Sequence, residues 1–157
     1  MTDIPTQETI NQWHRRFAVA CNNRAWDLTT QSDRTAAENQ EMRYTAYAAA
    51  YHWQQVGQPI NHLRAEITLA HVHALLGEAG QALHYADRCL AFCETNECED
   101  WDLAFAHLEM ALAAAVSGDA KSHARHYARA RELGEAIQEE EDRRIFLDEL
   151  ARTPAGR

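Results

Sequence analysis

The residues best equipped for chemistry stand toward the N-terminal side of this 157-residue chain. Asn23, Trp26 and Arg34 come first, then His52 and Trp53, then Asn61 and Arg64. Arginine grips a carboxylate with two parallel donors, asparagine and histidine bond a peptide backbone, and tryptophan supplies a flat apolar wall. Together these side chains suit a carboxylate or a peptide segment. Three also have a plainer use: Asn61 near Pro59 can cap a helix, Trp53 fits a core stripe, and Arg64 can pair with Glu66 or Glu38.

Other chemistry finds less support. The chain has no GxGxxG, no GK[ST], no GxSxG and no HExxH. Nine histidines are present, yet no two stand at i, i+4, and no glutamate precedes a histidine by three residues. His123 and His126 share a helix face, whereas His71 and His73 point apart. Cys21, Cys89, Cys93 and Cys98 include no CxxC pair and read as reduced thiols, small side chains of a core. We therefore expect no metal, no cofactor and no catalytic residues. The alternative is a small-molecule or metal-dependent enzyme working in a polar groove through His52, Asn61 and Arg64.

Charge narrows the partners. The net charge of −9 argues against nucleic acid. The longest apolar run, Met110 to Val116, is too short to span a bilayer. The opening MTDIPTQET lacks the basic and apolar regions of a secretory signal, so the expected location is cytoplasmic. One lysine against fourteen arginines, with abundant alanine, is typical of a GC-rich bacterial genome. Lys121, Arg125 and Arg129 form a basic stripe that suits an acidic partner or, more simply, a solvated face beside acidic helices.

These residues need elements to hold them. Apolar positions recur at helical spacing throughout, and no segment alternates like a strand. The reading is all-α, with seven helices at about 6–30, 36–56, 59–76, 79–94, 100–117, 120–134 and 137–151. Thr35-Ala-Ala-Glu38 has the form of a capping box, and Gly57, Gly77 and Gly118 mark helix ends. Ile10, Trp13, Phe17, Ala20 and Cys21 are expected inward on the first helix. Met42, Ala46, Ala49, Trp53 and Val56 make a stripe on the second. Tyr44, Tyr47 and Tyr51 lie on another of its faces, which predicts a central, sandwiched helix. Short connections make successive helices antiparallel neighbours.

A repeat is visible. Leu69, Ala70, His73, Gly77, Ala79, Ala82, Ala86 and Cys89 are followed 41 residues on by Met110, Ala111, Ala114, Gly118, Ala120, His123, Tyr127 and Ala130. The segments LLGEAGQALHYADRCL and AVSGDAKSHARHYARA resemble the tetratricopeptide repeat, with His123 standing where that family has alanine. The resemblance covers 63–134. The segments NRAWDL and HWQQVG are similar to those of uncharacterised bacterial proteins.

The tetratricopeptide resemblance implies a right-handed stack of helical hairpins with a groove that binds protein or peptide. On that reading 1–151 is a single domain, 63–134 its repeat core, 137–151 a capping helix and 152–157 a disordered tail. The partner is a protein or peptide segment, or a second copy of the chain in a homodimer, with no nucleic acid and no membrane.

Overall fold

Short polar signals set the helix ends, and the computed structural model, which describes residues 4–153, shows them at work. Seven α-helices are present among the described residues and no strand: α1 (Gln7–Thr29), α2 (Ala36–Val56), α3 (Pro59–Leu75), α4 (Ala79–Thr95), α5 (Asp100–Ser117), α6 (Ala120–Glu135) and α7 (Glu140–Arg152). Thr35 and Glu38 form the expected capping box. The Thr35 hydroxyl accepts from the Glu38 amide at 3.2 Å, and the Thr35 amide donates to the Glu38 carboxylate at 2.7 Å. Asp119 caps α6 by accepting from the Ser122 amide at 3.0 Å.

The repeat reappears as geometry. Gly77 and Gly118 have φ of 74° and 77°, the left-handed conformation that closes a helix without a Cβ clash. The next amides, of Glu78 and Asp119, both reach back 2.9 Å to the carbonyls of His73 and Ala114. Two helix ends 41 residues apart thus use one closing motif. Gly57 differs. Its φ is −80°, and glycine is needed there because a Cβ would stand 2.6 Å from the Trp53 carbonyl.

Contacts divide the chain into two compact units, one running to Thr68 and the other starting at Leu69, inside α3 and inside the 63–134 segment. In the first unit α1 and α2 form an antiparallel hairpin, pinned by His14 with His52 and by Arg24 with Glu41. Ala18, Ala25 and Leu28 of α1 are wholly buried, as are Met42, Ala46 and Ala49 of α2. Small residues at the interface let the helix axes approach closely. That choice of face overturns part of the sequence expectation. Trp13 and Phe17 stand outside, as do the three tyrosines, so the tyrosine face of α2 is not a buried one.

The second unit is built around α5, which packs against α4, α6 and α7. From Ala104 to Ala114 only His107 is not buried. Consecutive helices α4, α5 and α6 pair as successive hairpins. Leu83 and Ile145 are exposed, while His123, His126 and Gly134 turn inward from α6. Phe146 lies against Gly134 so closely that a Cβ there would meet the ring at 2.3 Å. Of the expected tail, Arg152 ends α7 and Thr153 is buried; 154–157 lie outside the described residues.

The core of this unit holds a charge. His71 of α3 is buried, with Nδ1 2.9 Å from Glu109 of α5 and Nε2 3.2 Å from Glu149 of α7. Burial would push the imidazole down, but the two carboxylates outweigh it and hold its pKa at about 10. It is therefore an imidazolium at neutral pH, donating from both nitrogens. Burial likewise works against ionised Glu149, yet His71 and Arg152 hold it at about 2. Burial pushes the Glu109 carboxyl up, partly offset by His71.

Two outcomes are expected in urea unfolding. His71→Leu removes the charged partner that two buried carboxylates share and should cost about 3–5 kcal/mol. Adding Glu109→Leu and Glu149→Leu should recover much of that loss. Gly134→Ala should cost about 1–3 kcal/mol through overpacking, and Phe146→Leu in the same chain should restore part of it.

Candidate functional site

The polar residues singled out from the sequence mostly serve the helices that carry them. Trp26 donates its indole N–H to Thr68 Oγ1 at 3.0 Å, and the Thr68 hydroxyl donates to Asn22 at 2.8 Å, fastening α1 to α3. Arg34 closes the end of α1. Its guanidinium donates to Asn39 at 2.9 Å, to the Leu28 carbonyl at 3.1 Å and to the Gln31 carbonyl. Asn61 accepts from the Gln58 amide at 2.9 Å, capping α3. The Trp53 carbonyl stands 3.1 Å from His62 Nε2, with its ring half-buried. Arg64 is half-buried on α3 and Asn23 is exposed on α1. The hydrogen bonds thus distribute these residues over several fastenings. His52 is drawn into a larger constellation.

That constellation is the outer face of the α1–α2 hairpin. His14 and His52 meet Nδ1 to Nδ1 at 2.8 Å. Phe17 lies 5.5 Å and Tyr51 5.4 Å from the His52 ring, centroid to centroid, and Tyr51 also stands edge-on to His14 at 6.1 Å. Phe17 and Tyr51 are each more than half exposed, at 54% and 56%. Trp13, one turn before Phe17, is 47% exposed, and Tyr44, in the tyrosine stripe of α2, is 64% exposed. Soluble monomers seldom leave several large rings together in water. Aromatic side chains are also the residues most enriched in protein interfaces.

A 2.8 Å contact between two ring nitrogens requires one to donate and the other to accept, so at least one imidazole is neutral. Burial, helped by His14, pushes His52 below its ordinary value. The second unit repeats the device across α5 and α6. His107 and His126 meet Nδ1 to Nδ1 at 3.0 Å. Burial and the neighbouring His126, Arg129 and Arg125 lower His107 to about 4. Burial and Arg125 lower His126 as well.

His123 is different again. Its Nδ1 donates to the Ala111 carbonyl at 2.8 Å, while Nε2 is buried with no hydrogen-bond partner. Among the described residues no group of three histidine, cysteine, aspartate or glutamate side chains is placed to hold a metal ion. No described helix is long and apolar enough to cross a membrane.

Sequence reasoning missed this face because it assigned Trp13 and Phe17 to the core and read the tyrosines as a second buried side. One signal was available. The stripe at 44, 47 and 51 is all tyrosine, whose hydroxyl tolerates water better than leucine would. Comparison with known protein families, with curated proteins and with solved structures gives no match.

The lowered histidines set a pH dependence. A histidine with a depressed folded pKa stays neutral in the fold but charges freely in the unfolded chain. Stability is therefore present above the ordinary value of 6.5 and is lost as pH falls toward about 4, the value for His107. In urea titrations between pH 6.5 and pH 4, the lowered histidines should weaken the wild type. His107→Gln with His126→Gln should flatten part of that decline.

Proposed function

We propose that the chain is a protein-binding adaptor, a helical-hairpin module of the tetratricopeptide-like kind working in a bacterial cytoplasm. The single observation that carries this reading is the aromatic face of the α1–α2 hairpin, with Trp13, Phe17, Tyr44 and Tyr51 open to solvent. A segment presenting apolar side chains would bury these rings, and each fully desolvated aromatic is the sort of anchor that dominates binding energy. The repeat-like spacing of Gly77 and Gly118 supports the family likeness, since both end their helices in the same way. The arginine-rich, lysine-poor composition supports the source. Among the described residues, the lack of a membrane-crossing helix accords with binding partners in solution.

A photo-crosslinking amino acid at Tyr44, introduced in cells, should capture a defined protein. The same probe at exposed Leu83 of α4 should not. Phe17→Ser with Tyr51→Ser should cut the Tyr44 adduct at least about tenfold, the loss expected of an interface anchor, with an unchanged melting temperature. Equal adducts at Tyr44 and Leu83, or an adduct indifferent to the double substitution, would refute the reading.

A further inference from the structure

Four cysteines punctuate the chain, and the fold treats them unequally. Cys89 is wholly buried in α4 and Cys21 lies on α1. Cys93 stands in the last turn of α4. The chain then reverses at Asn96, whose extended backbone ends the helix while its amide and side-chain nitrogen both donate to the Phe92 carbonyl, at 2.9 and 3.0 Å. This turn brings Cys98 back onto α4, with its Sγ 2.7 Å from that of Cys93. Both thiols are half-buried. Cys98 precedes Glu99, the residue that caps α5, so the pair sits at the corner of the α4–α5 hairpin.

We propose that Cys93 and Cys98 are a reversible thiol–disulfide site, a covalent clip that oxidation closes across this corner. The ligand class is a low-molecular-weight disulfide. One cysteine, losing its proton to water, attacks a sulfur of that disulfide. A mixed disulfide forms, the small disulfide's own S–S bond breaks, and one small thiol leaves with a proton. The second cysteine then attacks the sulfur of the first, expelling the second small thiol. In sum, two protein thiols and one small disulfide become one protein disulfide and two small thiols. Contact between the sulfurs makes the second step intramolecular and fast, so the mixed disulfide does not persist.

The surroundings set the rate. Glu94, Glu97, Glu99 and Asp100 crowd the corner with negative charge. Burial, the hydrogen bond with Cys98 and the nearby Asp102 raise the Cys93 thiol well above its ordinary range. Such a thiol is a poor first nucleophile at neutral pH.

The test uses the full-length chain carrying Cys89→Ala, incubated in mixtures of oxidised and reduced glutathione. Trypsin then cuts after Arg88 and Lys121, leaving Cys93 and Cys98 in one peptide. With rising oxidised glutathione, that peptide should become lighter by the paired hydrogens and carry no glutathione. Cys93→Ser and Cys98→Ser should each instead retain a stable glutathione adduct on the remaining sulfur. Closing so short a loop should raise the melting temperature by roughly 4–9 °C, reversibly with dithiothreitol. A lasting glutathione adduct on the peptide holding Cys93 and Cys98, a bond from either to Cys21, or two free thiols in that peptide under fully oxidising glutathione would overturn the proposal.

Discussion

A single positive charge, removed from water, organises the second unit. His71 is held between Glu109 and Glu149, so residues from α3, α5 and α7 meet at one imidazole ring. Desolvating three ionisable groups is expensive, and the short contacts within the cluster make it tolerable. The arrangement demands that each helix arrive at a fixed azimuth and height, because a ring with two donors accepts little misalignment. Glu149 also pairs with Arg152 one turn along α7, which draws the last turn of that helix onto the same network. An apolar core of alanine and leucine would tolerate sliding. This cluster does not, and it selects one register among several that hydrophobic packing alone would allow.

Close packing of small residues is the complementary device. Alanine is the commonest buried residue of α1, α2, α4 and α5, and glycine admits Phe146 at α6. Small contact residues bring helix axes together but bury little apolar surface per residue, so the large rings are free to lie elsewhere. In the first unit they lie outside. The same economy that makes the α1–α2 hairpin tight therefore leaves Trp13, Phe17, Tyr44 and Tyr51 facing solvent. Two histidine pairs, one across α1 and α2 and one across α5 and α6, sit at the edges of these contacts and add a directional bond to each hairpin.

The helices themselves were legible with little error. Each of the seven begins and ends within a few residues of its expected place, because capping and termination depend on near neighbours in the chain. Thr35 with Glu38, and Gly118 with Asp119, act as their types require. The inward faces were less legible. Trp13 and Phe17 satisfy the apolar period as well as Ala18 and Ala25 do, and periodicity does not say which of two adjacent stripes will meet a neighbour. For the polar residues the outcome is mixed. Asn61 and Arg34 satisfy backbone groups near their own helix ends, a local role readable from spacing. The contact of His52 with His14 joins residues 38 apart, and nothing in either local segment announces it.

By itself, then, the amino-acid order determined an all-helical chain, its seven rods, their caps and the paired glycine turns, since each follows from interactions spanning a few residues. Tertiary structure alone decided that His71 would be charged, that Cys93 and Cys98 would touch, and that the largest rings of the first hairpin would face outward. Those outcomes depend on which faces meet, and that choice is made by shape and desolvation summed over whole helices rather than by any local signal.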